Sequence, residues 1–169
     1  MRNSIFRNYY KPVHPVTPRL PVFVYGTLRT GQGNYYGLLN GNTIQEHQNC
    51  RVTGLSMYGK RGFPYCVTDR ANAEVGVAGD IMVIRPESYN EVMADLDALE
   101  GYDGKYGDHN HYNRVITTAT LPTGEAVKVY VYVQAESDRA RTIATREWLE
   151  NGDWNEFNPP RSEAPSWAV

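Results

Sequence analysis

The chain has 169 residues, of which 41% are hydrophobic and 21% charged, an ordinary balance for one globular domain with a substantial core. Its formal net charge of -2 gives no electrostatic basis for binding nucleic acid. No apolar run approaches the roughly 18 residues of a membrane span, and Met1 to Leu20 lacks the apolar centre of a secretory leader. The two cysteines, Cys50 and Cys66, are not in a C-x-x-C spacing. They are read as reduced, the protein as cytoplasmic, and zinc or redox chemistry as unsupported.

Pro12, Pro15 and Pro18 favour extended, unpaired backbone, so residues 1–19 are expected to form a flexible arm. Residues 159–169, with Pro159, Pro160 and Pro165, read as a second loose tail, leaving one domain over 20–158. Val22 to Tyr25 is a short strand ending at Gly26. Val52 to Met57 reads as a strand broken by Gly54, and Tyr65 to Thr68 as another. Val75 to Ile84 is longer, with Gly76 and Gly79 marking a bulge or a close approach. Pro86 to Glu100 is the clearest helix: Pro86 suits its first turn, and Gly101 sits where a C-terminal glycine belongs. Tyr89, Val92, Met93, Leu96 and Leu99 form its apolar stripe. Arg114 to Leu121 and Ala126 to Ala135 flank a Pro-Thr-Gly-Glu turn and read as a hairpin. In its second strand Val127, Val129, Val131 and Val133 alternate with Lys128, Tyr130, Tyr132 and Gln134, one aliphatic face and one tyrosine-bearing face. A further helix is expected over about 138–150. Many short strands with few helices predict an α+β fold: a curled, partly closed sheet with helices packed outside.

Glu100 is out of place in this pattern. At about 100° per residue it lies about 40° from Leu96, on the stripe that faces the core. It also occupies the last turn of the helix, where the macrodipole disfavours negative charge. Both effects favour the protonated carboxyl, and an acid/base catalyst needs such a shift toward neutrality. A helix end that simply meets water is the alternative for this residue. The turn Tyr25-Gly26-Thr27-Leu28 follows a strand, so its N–H groups lack ladder partners and suit a carboxylate or a developing oxyanion; an empty tight turn is the alternative. Gly31-Gln32-Gly33 does not match a nucleotide-binding spacing. His109-Asn110-His111 supplies too few ligands for a metal.

Val22-Phe23-Val24-Tyr25-Gly26-Thr27-Leu28-Arg29, followed by Gly31 and Asn34, resembles the opening motif of γ-glutamylcyclotransferase-like proteins. Leu96-Asp97-Ala98-Leu99-Glu100-Gly101-Tyr102 resembles their helix end with its glutamate. Gly62-Phe63-Pro64, Tyr112-x-Arg114 and Gly152-Asp153-Trp154 follow in the family's order, covering about residues 21–156. The resemblance implies a mixed, partly closed β-barrel with a few flanking helices, and release of 5-oxoproline from a small γ-glutamyl compound, with no metal or cofactor. It implies Glu100 as acid/base, the Gly26–Leu28 amides as cradle, and Tyr25 as a pocket wall. Tyr112 is a candidate for the wall or for the core, and Tyr130 or Tyr132 lines the pocket. The Tyr-Gly-Thr-Leu-Arg form is similar to the AIG2-like, γ-glutamylamine branch. Two other functions remain open: a binding module for an amino-acid-like ligand, and an amide hydrolase using water. The longer segments 104–110 and 136–150 depart from the family pattern and bear on the pocket rim.

Overall fold

The computed structural model describes residues 14–59, 62–161 and 167. In chain order these form β1 (Val22–Val24), α1 (Gly33–Leu38), β2 (Thr43–Val52), β3 (Leu55–Tyr58), β4 (Tyr65–Thr68) and β5 (Val77–Ile84). A 3-10 turn (Pro86–Ser88) leads into α2 (Tyr89–Glu100), followed by β6 (Tyr112–Thr120), β7 (Ala126–Gln134), α3 (Glu136–Thr145) and α4 (Trp154–Phe157). The strands β1-β5-β2-β6-β7 form a ring, and β3-β4 a separate two-stranded sheet. Two seams of the ring are narrow. Strands β2 and β6 meet at Arg51↔Thr120, and β7 runs parallel to β1 at Val22↔Tyr130. This is the mixed, partly closed barrel that the resemblance implied, and the curled sheet that the strand pattern predicted.

Alternation along the strands divides the apolar residues between two cores. Phe23, Val52, Ile81, Val129 and Val131 fill the ring with Trp154, while Val22, Val24, Met82, Tyr130 and Tyr132 face outward under α2. Tyr89, Val92, Met93 and Leu96 of α2 are buried on that outer layer. Both faces of β7 are therefore covered, aliphatic inside and tyrosine outside. At Gly79 a Cβ would overlap the Val24 carbonyl oxygen and the Phe23 ring, so the close approach between β1 and β5 requires glycine there.

Strand β2 was not expected over most of its length. Its sequence from Thr43 to Arg51 is mainly polar, and most of its side chains are at least partly exposed. Its strand character comes from the backbone ladder to β5, not from an apolar face. The expected strand over Val52–Met57 is instead two strands in different sheets, turned at Gly54 with φ 82°. The expected helix over 138–150 spans Glu136–Thr145. Beyond it the chain straightens and bonds to β3, through Gly59 N to Glu147 O and Leu149 N to Met57 O.

The arm is bound from Val16 onward, contrary to the expectation of flexibility through residue 19. Val16 is buried and its amide donates to Asn90 Oδ1 at 3.1 Å. Tyr130 Oη donates to Pro18 O at 2.8 Å, and Tyr89 Oη to Leu20 O at 2.6 Å. Burial of the two tyrosine rings between α2 and β7 leaves their hydroxyls needing acceptors, which the arm supplies. The tail is likewise tied at its start, Arg161 N donating to Gly31 O. The rest of the arm expected before residue 14, and most of the tail after Arg161, lie outside the described residues.

Arg29 is completely buried. Its Nη2 lies 3.2 Å from Asp80 Oδ1 and its Nη1 2.7 Å from Asp153 Oδ1. A bulge in β2 brings Asn49, at φ 58°, into the same cluster, where its amide donates to Asp80. Thr30 N donates to Asp80 Oδ2 at 3.0 Å. Removing one partner would leave a buried charge without compensation. Asp80→Asn is therefore expected to destabilise the protein by about 3 kcal/mol, read from urea unfolding. A loss below about 1 kcal/mol, typical of an exposed pair, would contradict this account.

Candidate active site

The turn after β1, the C-terminal end of α2, the 62–65 loop, the end of β7 and one face of α3 enclose a cavity of about 640 Å³. Each wall has a local cause. The αL conformation of Gly101, at φ 66°, closes α2 and leaves Glu100 on the last turn facing the cavity. The turn after β1 is pinned from outside. The Thr27 carbonyl accepts from the amides of Asn34 (2.9 Å) and Tyr35 (3.2 Å), and Asn34 Nδ2 donates to Thr27 Oγ1 at 2.8 Å. The amides of Gly26, Thr27 and Leu28 donate to no acceptor among the described residues. Gly26 is packed against the 62–65 loop, where an added Cβ would stand 2.7 Å from Pro64 Cγ. Any side chain at this position would separate the turn from the loop.

Glu100 is half-buried and receives no hydrogen bond from the described residues. Burial alone pushes its carboxyl from 4.5 up to about 7. Burial on the core-facing stripe thus holds the acid close to neutrality.

Tyr25, Gly26, Thr27, Leu28, Glu100 and Tyr112 all line this one cavity. Tyr25 Oη donates to Tyr132 O at 2.7 Å, and burial raises its hydroxyl well above the usual value. Tyr112 is raised by burial and then by the nearby Glu100. Both phenols stay protonated and form walls of the cavity. Between the two tyrosines left open on β7, Tyr132 lines the cavity, whereas the hydroxyl of Tyr130 bonds to Pro18. They share a strand face, so alternation could not separate them. Their distance along the strand from α2's end does.

A second layer supports these walls. Tyr132 Oη donates to Asp97 Oδ1 at 2.6 Å, and Arg114 Nη1 reaches both Asp97 oxygens at 2.8 and 2.7 Å. Burial pushes the Asp97 carboxyl up, opposed by Tyr132 and Arg114. Arg114 also stacks on the rings of Tyr102 and Tyr130. Arg114 is therefore paired with Asp97, one turn before Glu100. His111, Gln134, Asp138 and Arg141 also line the cavity and were not singled out from sequence as site residues. The packing of α3 against β4 and the end of β7 brings the last two there. His109 pairs instead with Asp103, on the surface.

The family model described as gamma-glutamyl cyclotransferase, AIG2-like, matches residues 22–156. The chain is 29% identical over 133 residues to the gamma-glutamylcyclotransferase family protein ytfP of Citrobacter rodentium, covering 79% of this chain and 93% of that one. Among solved structures, an AIG2-like protein from Mus musculus superposes with a TM-score of 0.60 at 18% identity, covering 87% of this chain and 97% of that chain. YkqA from Bacillus subtilis superposes with a TM-score of 0.55 at 19% identity, covering 81% of this chain and 40% of that chain. These two structures share the fold. Among the described residues no helix is long and apolar enough to cross a membrane.

The raised carboxyl has a thermodynamic consequence. Below pH 4.5 Glu100 is protonated whether the chain is folded or not. Between 4.5 and about 7 it ionises in the unfolded chain first, so stability falls as pH rises and levels off above about 7. Relative to Glu100→Gln, the parent should lose roughly 2 kcal/mol across this interval, with partial exposure to the cavity limiting the effect. Urea midpoints of both proteins from pH 4.5 to 8 measure it. Parallel curves would mean an ordinary, solvated carboxylate.

Proposed function

From the premise that the chain belongs to the gamma-glutamyl cyclotransferase, AIG2-like family, we propose that it cyclises a γ-glutamyl compound to 5-oxoproline and releases the amine. The single observation that carries this reading is the pairing of an unbonded carboxyl poised near neutrality with free backbone amides in one cavity.

The nucleophile and electrophile belong to one substrate molecule, so the pocket's main task is to fold the γ-glutamyl chain into ring-closing geometry. Ionised Glu100 takes a proton from the substrate's α-ammonium. The freed amine attacks the γ-carbonyl carbon, forming the ring C–N bond and a tetrahedral oxyanion. Glu100, now protonated, gives its proton to the leaving nitrogen as the original amide C–N bond breaks. The second proton of the ring nitrogen passes to the released amine, which departs as an ammonium, so electrons and protons balance without an outside reactant. The amides of Gly26, Thr27 and Leu28 hold the substrate carboxylate or the oxyanion, and are worth most where water is excluded. Tyr25, Tyr112 and Tyr132 shape the space around the folded chain. The Tyr25-Gly26-Thr27-Leu28-Arg29 form supports γ-glutamylamines, including a γ-glutamyl-lysine isopeptide, as the substrates.

Incubation with γ-glutamylamines, γ-glutamyl dipeptides and glutathione, followed by product analysis, tests the reading. The parent should release 5-oxoproline. Glu100→Gln should lower kcat by about 10²- to 10⁴-fold, the usual worth of a general acid/base. Free glutamate as product would indicate hydrolysis by water, and binding without turnover would indicate a ligand-holding module. In the parent, kcat/KM should rise with pH through an apparent pKa of about 7, since the free enzyme must carry Glu100 as the base. An acid limb at an ordinary carboxylate value would assign the proton transfer to another group.

A further inference from the structure

The cavity extends past the reacting centre to α3, and its chemistry changes there. Besides Glu100, the charged side chains lining it among the described residues are Asp138 and Arg141. They stand one turn apart on α3, with Arg141 Nη2 3.1 Å from Asp138 Oδ1. This face of α3 is anchored to the cavity wall. Buried Thr142 donates through Oγ1 to Gln134 Oε1 at 2.7 Å, and Gln134 itself lines the cavity at the end of β7. Ala135 N donates to His111 O at 3.0 Å, fixing the start of the helix beside another lining residue. Asp138 also acts electrostatically on Tyr112, which lies next to Glu100. Asp138 is thus within Coulomb range of the reacting end.

Resting on the cyclotransferase reading, we propose that Asp138 and Arg141 determine specificity by reading charge on the leaving amine: Arg141 accepts a carboxylate carried by it, and Asp138 an ammonium. The γ-glutamyl end of the substrate is bound by the Gly26–Leu28 amides and Glu100, so the part of the substrate beyond the scissile amide lies toward α3. The Arg141 side chain is 76% exposed and that of Asp138 33%. Their mutual attraction is that of a surface pair, which costs little to rearrange. A ligand carboxylate replaces Asp138 at the guanidinium with a two-pronged, charge-assisted contact. A leaving group with both charges satisfies both residues at once. Arg146, a further guanidinium beyond α3, is stacked on the Tyr65 ring and does not line the cavity.

Four γ-glutamyl substrates with the same five-carbon tether isolate the effect. Their leaving amines are pentylamine, with no further charge; cadaverine, with an ammonium; 6-aminohexanoate, with a carboxylate; and lysine linked through its side-chain nitrogen, with both. 5-Oxoproline release is followed at varied substrate concentration. In the parent, kcat/KM should be higher for each charged leaving group than for pentylamine, mainly through KM. Arg141→Gln should reduce the 6-aminohexanoate-to-pentylamine ratio of kcat/KM roughly tenfold, and Asp138→Asn the cadaverine-to-pentylamine ratio by a similar factor. Arg139→Gln, on the same helix but bonded to Glu136 and the Thr68 carbonyl, should move neither ratio by more than about twofold. Ratios that stay unchanged in Arg141→Gln and Asp138→Asn would overturn the proposal while leaving the cyclotransferase reading intact. Absence of 5-oxoproline from all four substrates with the parent would instead overturn that reading, and this proposal with it.

Discussion

Arg29 is the constraint on which the site's geometry depends. A guanidinium with no exposure to water has to be neutralised and bonded in all directions, and this chain does so with carboxylates from distant segments. Asp80 comes from the middle of β5, opposite Val24 in the register of β1. Asp153 comes from the cap of α4, where its Oδ1 also receives Asn155 N. Arg29 directly follows the cradle turn, so satisfying its charge sets where Gly26, Thr27 and Leu28 can lie. The same requirement brings the C-terminal segment back to the barrel and lets Trp154 fill its end. The Gly-Asp-Trp near the C-terminus and the Tyr-Gly-Thr-Leu-Arg near the N-terminus are two halves of one buried interaction.

Glu100 poses the opposite problem. Its carboxyl is buried with no cation paired to it among the described residues, so the proton is retained to about 7. The nearest carboxylate on α2, Asp97, is already engaged by Arg114 and Tyr132. That engagement separates two acids one helical turn apart. One is committed to holding β7 against α2, and the other is left unbonded in the cavity. The cost of burying an unpaired acid is met by the packing of the α2 stripe on the outer layer of the barrel.

Much of this was legible in the residues. The alternation of β1 and β7, the stripe of α2 and its Gly101 stop are local patterns, and local backbone preference together with burial reproduces them. Glu100 was visible because it broke such a pattern. Strand β2 was not legible, because a polar edge with a bulge carries no period; its partner β5 supplies the order. Asp138 and Arg141 were missed for a related reason. Nothing in their spacing distinguishes an i, i+3 pair on a surface helix from one over a cavity.

By itself, the sequence determined the α+β class, the strand-to-turn element after β1, the helix ending at Glu100 and the family they signal. These rest on interactions between residues close in the chain, whose periodicity and turn chemistry survive as readable pattern. The tertiary structure alone decided that Tyr132 and not Tyr130 faces the cavity, that the arm from Val16 onward is bound, and that α3 forms a wall. It also decided that Arg29 meets Asp153 across 124 residues. Those outcomes depend on closure of the ring and on satisfying buried charges and hydroxyls, which are conditions on the whole fold and leave no local period in the chain.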